Sequence, residues 1–438
     1  WLKERLLPPH PGTRWCAMVA ATMPRQHPVL LCQPAWVPIP GGSGCWDACS
    51  AADFARLRAT CVADAAFFRP LLAGSLAACL MGPLCEARHA RRSAMVALGA
   101  LGEAAVPAVP GLLRALADED AETRAAAAGA LGGAGPGAAS ALPGLLMALG
   151  DCSWCVRMAA VQALGCVGEG ALLAVPDLAG LLEGDESQGV REKAAEALGR
   201  LAAAAEPGAP EIAAVLVEAL ARALQDEDCS VRLAVAWALG RLGGALSAPA
   251  APQLSEALAD DEEDEDVRAA AAAALGRLSG DAARDAAPVL ARALADEHWE
   301  VRAAAAEALS CLGEAVEPAQ SEVARLLEHD QWGVRAKAAE VLGRLGRVAA
   351  PSVLRLARSL ADEEWGVRAA ATAALSRLAE RGEVPEPVAC LAVSAMAELL
   401  AHDRWGVRYS AAEALGRMGK LASPAGSQLA KALSDENW

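Results

Sequence analysis

A dipeptide ending in arginine returns along this chain at nearly constant intervals, and that return constrains the fold more than any other feature. Val-Arg, once Thr-Arg, places its arginine at Arg124, Arg157, Arg191, Arg232, Arg268, Arg302, Arg335, Arg368 and Arg408. The spacings are 33, 34, 41, 36, 34, 33, 33 and 40 residues. Stepping back 33 residues from Arg124 reaches Arg91, where a matching RRSAMVALGALG begins. About ten copies of one unit therefore fill most of the 438 residues. Single cores stop growing below about 250–300 residues, and a period in the thirties marks stacked supersecondary units.

Each unit reads as two helices. A Pro opens a Leu-rich first helix, as in VPGLLRALAD at 109–118. An acidic loop follows, often ending in Trp-Gly-Val-Arg, and a second helix such as RAAAAEALSCLG at 302–313 stops at Gly. Pro at the start and Gly at the end are helix punctuation. The Asp closing the first helix is placed to cap the second. On a wheel of 100° per residue, with the repeat arginine as zero, Val at −1, Ala at +3 and Leu at +7 and +10 share an arc of about 80°. No hairpin buries that stripe alone, so neighbouring copies must stack. The fold class expected is all-α, a right-handed α-solenoid (superhelix) of about ten helical hairpins.

Composition agrees. One Tyr and three Phe are poor material for aromatic-lined pockets. Residues 1–85 carry 7 basic and 4 acidic side chains, whereas the remainder carries 32 basic and 51 acidic, against a net charge of −16. An acidic array repels phosphate backbones, so no nucleic acid is expected as a partner. Seven of the thirteen cysteines precede residue 86 in no familiar framework, and the other six, at unrelated positions within the repeats, read as reduced, partly buried thiols in an intracellular, by default cytoplasmic, protein. The most apolar stretch, Phe67 to Cys85, is interrupted by Arg69, Pro70 and Pro83, so no membrane span is expected.

The units resemble HEAT repeats, in particular the short Ala-rich kind of the phycobilisome-lyase-type HEAT proteins, over residues 86–438. That pattern has an Asp six residues before the Val-Arg arginine, as in Asp118 and Arg124, Asp151 and Arg157, Asp185 and Arg191, Asp226 and Arg232, Asp296 and Arg302, and Asp362 and Arg368. The resemblance implies that these positions form a ladder of polar contacts between successive repeats. The pattern departs at Glu262, His329 and His402, although Asp330 and Asp403 stand one residue later. It also implies that the second helices line the concave side of the solenoid. Glu196, Glu340 and Glu413 at +5, with Arg200, Arg241, Arg277, Arg344, Arg377 and Arg417 at +9, lie opposite the buried stripe and would then face a partner-binding groove. A Glu four residues before an Arg also steadies a helix by ~0.2–0.5 kcal/mol.

Both ends depart from the repeat. Residues 1–50, rich in Pro, Cys and Trp, read as an irregular or disordered segment, and 51–85 as a degenerate helical cap on the array of 86–438. The first residue is Trp rather than Met, and Trp438 lies 33 residues after Trp405, so the array is expected to be cut within its next unit.

Other features carry weaker signals. Trp154, Trp299, Trp332, Trp365, Trp405 and Trp438 stand three residues before a repeat position. Their coupling to the repeat phase favours a wedge packed on the next hairpin over an exposed recognition row. Cys152-Ser-Trp-Cys155 lacks the second pair of ligands that zinc needs. His298, His329 and His402 invite comparison with HEAT-fold deoxyhypusine hydroxylases, but Glu297-His298 and Glu328-His329 run opposite to the His-Glu pairs of that family. The run Asp260–Asp266 reads as hydrated surface charge. With no catalytic set, metal or cofactor indicated, the expected function is a protein-binding scaffold or adaptor. The alternative is a phycobilin lyase-like protein or chromophore chaperone.

Overall fold

The computed structural model describes residues 88–204, 210–382 and 384–436, so the segments 1–50 and 51–85 lie outside the described residues. Two compact units divide the chain at residues 148 and 149. The first unit holds α1 (Arg88–Ala100), α2 (Val109–Ala115), α3 (Ala121–Gly133) and α4 (Leu142–Ala148). The second holds α5 (Trp154–Val167), α6 (Val175–Gly184), α7 (Gln188–Ala204), α8 (Pro210–Ala223), α9 (Cys229–Leu242), α10 (Ala251–Ala259), α11 (Glu265–Leu275) and α12 (Gly280–Ala293). It continues with α13 (Trp299–Leu312), α14 (Gln320–Arg325), α15 (Trp332–Arg344), α16 (Val353–Arg358), α17 (Trp365–Glu380), α18 (Glu386–Leu399), α19 (Trp405–Arg417) and α20 (Gly426–Ala432). Odd numbers are the second helices of the hairpins and even numbers the first. The only β feature among the described residues is one isolated bridge between Gly244 and Leu278.

The stripe read from the sequence forms the core. Val301, Ala305, Leu309 and Leu312 of α13 are buried, as are Val334, Ala338, Leu342 and Leu345 of α15. Second helices pack on second helices of neighbouring repeats through Gly at +8. A Cβ built on Gly276 would stand 2.4 Å from Ala308 Cα, and one on Gly343 would stand 2.5 Å from Ala374 Cα. Only glycine allows that approach.

The first helices are shorter than the sequence suggests. Many are preceded by a seven-residue 3-10 segment, such as Gly313–Ala319 and Gly346–Ser352, which takes up Pro318 and Pro351. The segment opens on a glycine of positive φ, +57° at Gly313 and +63° at Gly346, where L side chains are strained. Such a turn also splits Trp154–Gly184, the one described stretch long and apolar enough to cross a membrane. Its helices α5 and α6 are separated at Gly168 (φ +77°), and 56% of its most apolar window is buried in the fold.

Candidate functional site

Inter-helix loops carry the first constellation. In the second unit the guanidinium of Arg157 donates from Nη1 to the carbonyl of Asp151 in its own loop (2.9 Å). Its Nε and Nη2 grip Asp185 of the next loop at 2.6 and 2.8 Å. Arg191 repeats this with the Asp185 carbonyl and with Asp226 at 2.8 and 3.0 Å. Arg335 does so with the His329 carbonyl and with Asp362 at 2.7 and 2.9 Å. Arg268 holds Asp296, and Arg408 holds Asp435. In the first unit Arg91 reaches Asp118 at 3.0 Å, and Arg124 donates to the carbonyls of Asp118 and Glu119. In the second unit Arg157, Arg191, Arg268, Arg335 and Arg408 thus staple their own loop to the next, in the two-pronged geometry that makes Arg–carboxylate pairs strong.

Charge follows from that geometry. Burial alone would raise the Asp185 carboxyl, but the Arg157 hydrogen bond, the Ser187 N–H and the charges of Arg157 and Arg191 hold it below the usual carboxylate range. The bidentate bonds to Asp185 and Asp226 raise Arg157 and Arg191 above the ordinary guanidinium value.

Three details differ from the sequence reading. Arg232 pairs with Glu263 (2.7 and 2.6 Å), not with the residue six before Arg268, because the loop 260–266 is longer and shifts the carboxylate by one position. The aspartate six before the arginine does not cap the second helix. Its Oδ1 instead accepts the N–H two residues on, as in Ser187 to Asp185 and His298 to Asp296 (2.8 Å each), closing an Asx turn. Caps come from Asp120, Asp228 and Asp264, four residues before an arginine. At His329 and His402, finally, imidazole Nδ1 takes over the turn and accepts from Gln331 and Arg404 at 3.1 Å. The preceding arginines, Arg302 and Arg368, have no carboxylate partner among the described residues and donate from Nη1 to loop carbonyls of Asp296, Glu297, Asp362 and Glu363.

The second constellation is the outward face of the second helices. Glu196–Arg200 (3.4 Å), Glu340–Arg344 (2.7 Å) and Glu413–Arg417 (2.7 Å) meet within their helices. Arg344 also reaches back to Glu307 of α13 at 2.8 Å. Lys193 and Lys337 join the pairs from three residues before Glu196 and Glu340. Burial would raise the Glu340 carboxyl, but the Lys337 hydrogen bond and the charges of Lys337, Arg344 and Arg377 hold it low. Arg241 and Arg277 stand exposed and Arg377 half-exposed, and none of the three makes a side-chain hydrogen bond or ion pair among the described residues.

The tryptophans overturn the packed-wedge expectation. Trp299, Trp332, Trp365 and Trp405 are 66%, 56%, 71% and 62% exposed, and Trp154 is exposed as well; Trp438 lies outside the described residues. The Trp332 ring touches the next repeat where it lies over Gly366, at the start of α17. Each begins its helix, so it sits four, eight and twelve residues before positions +1, +5 and +9. One face of α15 therefore runs Trp332, Ala336, Glu340, Arg344, and one face of α19 runs Trp405, Tyr409, Glu413, Arg417. Trp237 of α9 and Tyr409 lie on this face and are exposed too. The signal was available: at −3 a residue falls near 60° on the wheel, on the side away from the buried arc.

The remaining groups stay apart. Among the described residues no cluster of three or more metal-ligating side chains occurs, and six cysteines, Cys152 and Cys155 included, are free thiols. The two foremost cavities are open clefts between loops. One, of about 390 Å³, lies beside Arg302, Asp330, Trp332 and Glu363. The other, of about 550 Å³, lies beside His329, Asp362 and Arg404.

Stacked helical hairpins joined by these loop staples define an α-solenoid of short repeats. Overlapping matches to the HEAT repeats model run over residues 85–165, 109–199, 142–222, 175–276 and 251–322, and a PBS lyase HEAT-like repeat matches 407–435. More than half of the chain is matched, and it belongs to the HEAT repeat family. No curated protein sequence matches it. Solved structures similar to it include the karyopherin Kap121p bound to the SUMO protease Ulp1p (TM-score 0.60, 16% identity, covering 87% of this chain and 45% of that one). Kap121p bound to the C-terminus of the phosphatase Cdc14p gives a TM-score of 0.58 at 17% identity, covering 87% and 45%. Importin beta gives 0.54 at 18%, covering 84% and 53%. The chain spans about half the length of these structures, and at such identity the likeness is one of fold.

Proposed function

We propose that this protein is a non-catalytic scaffold that holds other proteins along the outward face of its second helices. The observation that carries this reading is the row of exposed Trp299, Trp332, Trp365 and Trp405 at one repeat position, in register with the Glu and Arg of the same helices. Exposed tryptophans are costly in water and are enriched, with arginine, among residues that dominate protein interfaces, where one contributes on the order of 2 kcal/mol or more. Ala303, Ala336 and Ala369 between Trp and the charged positions leave room for a partner's side chains. Glu196, Arg200, Arg241, Arg277, Glu340, Arg344, Arg377, Glu413 and Arg417 supply the polar half of the surface. The similar structures of Kap121p bound to Ulp1p, to the C-terminus of Cdc14p and to Nup53p are consistent with protein partners for such a fold. Free thiols in the described part suit a reducing compartment such as the cytoplasm.

The test is affinity capture with mass spectrometry, comparing the native chain with two variants. In one, Arg200, Arg241, Arg344 and Arg417 become Glu; in the other, the four tryptophans become Ala. Both variants should keep their helical circular dichroism and lose the partner. Unchanged capture by both folded variants contradicts the reading.

A bilin-handling role is motivated by the PBS lyase HEAT-like repeat over 407–435. The foremost clefts, however, are lined mostly by charged and polar side chains, unlike a tetrapyrrole pocket. Free bilin incubated with the protein should keep its absorbance spectrum; a shifted and intensified band would favour this role instead.

A further inference from the structure

Two of the repeat-to-repeat joints in the second unit differ from the rest at the loop and at the helix contact, and a third difference, in packing, follows from these. The first is the staple: Arg302 and Arg368 face His329 and His402 where the other arginines hold a carboxylate. Arg368 Nε is buried without a hydrogen-bond partner.

The second lies at the helix contact, at the opposite end of the second helix from the loop. Position +8 is glycine at Gly99, Gly132, Gly165, Gly199, Gly240, Gly276, Gly343 and Gly416, but serine at Ser310 and Ser376, in the two repeats of Arg302 and Arg368. Glycine there meets the +6 alanine of the next repeat almost backbone to backbone, as Gly165 meets Ala197 and Gly199 meets Ala238. Across from Ser310 the +6 residue is Val341, where the other described repeats carry alanine. Both serine hydroxyls turn back on their own helices, to the carbonyls of Ala306 and Thr372 at 2.7 Å, and form no bond across the joint.

The third is the packing that results. Among adjacent second helices in the unit, the backbones of α13 with α15 and of α17 with α19 run together least closely.

We infer that these two joints are compliant hinges built into the array, separating the stiff blocks α5–α13, α15–α17 and α19 onward. Rigidity at the other joints comes from two distant clamps, a bidentate ion pair at the loop and a glycine-alanine contact along the helices. With both clamps missing, rotation about the joint breaks no bond from a repeat arginine to the next loop and meets no glycine-alanine contact. The ion pairs that cross the first joint, Arg344–Glu307 and Arg347–Glu314, are solvent-exposed, and such pairs contribute little. The hinges also divide the tryptophan row, with Trp299 before the first, Trp332 and Trp365 between the two, and Trp405 after the second. A partner lying along that row would be met by a surface that adjusts at two defined places.

Pulsed electron resonance distances test this on the full chain. Spin labels go on the native Cys166 with Arg241→Cys, and separately on the native Cys311 with Arg377→Cys, the remaining cysteines being replaced by serine. All four sites stand nine residues after a repeat arginine, and each pair spans two joints. The first pair crosses two clamped joints and the second crosses the Arg302–His329 joint. The distance distribution of the second pair should be at least twofold wider, and His329→Asp combined with Ser310→Gly should narrow it to the width of the first. Equal widths in the two unaltered pairs overturn the inference, a comparison that does not depend on the folding of the substituted chain. A wide distribution that His329→Asp with Ser310→Gly leaves unchanged in a folded chain overturns the assignment of the hinge to the missing clamps.

Discussion

At the residue scale, most of the molecule's specificity sits in the repeat arginine at the start of each second helix. Asp185 is nearly buried, with a side chain only 2% exposed, and it accepts from Arg157 at two atoms and from the Ser187 N–H. Asp185→Asn keeps the shape but removes the charge and one acceptor, leaving Arg157 half-buried without its counter-ion. Hydrogen bonds to charged groups are worth about 1.5–3 kcal/mol, and denaturant unfolding should report a loss of that order. The same carboxyl predicts an acid response. Its folded-state pKa lies below that of the unfolded chain, about 3.9, so its contribution is fully present above that value and fades as pH falls through the folded one. Glu340 has the same sign. The midpoint of thermal unfolding should therefore drop between about pH 5 and pH 2, with a shallower slope in Asp185→Asn; parallel slopes would mean that Asp185 does not couple to folding. The converse change is stabilising: His402→Asp should give Arg368 the carboxylate it lacks and raise the midpoint by a few degrees.

At the element scale, the second helices are held apart by nothing larger than a methyl group. Gly343→Val would drive side-chain atoms into the Ala374 backbone, 2.5 Å from the first added carbon, and overpacking of this kind costs about 1–3 kcal/mol or more. Gly416→Val, which meets no atom within 4 Å of its added carbon, should cost little or nothing, since valine is a somewhat better helix former than glycine. The difference between the two is measurable by thermal melts. The helices were legible in the sequence because Leu at +7 recurs in every unit, with Val at −1 and Ala at +3 in nearly all (Thr123 and Val235 depart), and burial of one stripe leaves little choice of packing. The 3-10 lead-ins were not, since Pro318 and Pro351 look like helix starts until the glycine turn before them is seen. The loop chemistry was legible in part. Pairing of Arg157 with Asp185 follows from position, whereas the move from Glu262 to Glu263 depends on how a longer loop folds back. The tryptophans were misjudged because regular spacing was read as regular packing, when their angle on the helix already put them with Glu340 and Arg344 on the side away from the core.

At the scale of the whole molecule, the account rests on a surface that repeats every 33 to 41 residues and is met by a partner over several repeats at once. Binding spread over repeats implies that single losses weaken and multiple losses abolish capture. Trp332→Ala alone should reduce affinity roughly tenfold, the equivalent of about 1.4 kcal/mol, and the fourfold tryptophan variant should lose it altogether. The most direct test is amide hydrogen exchange of the full chain with and without its captured partner. Protection should rise at the first turns of α13, α15, α17 and α19, where Trp299, Trp332, Trp365 and Trp405 stand, and along the Glu and Arg face that follows. Protection confined to the first helices α12, α14, α16 and α18, with the tryptophan turns unchanged, would contradict the account.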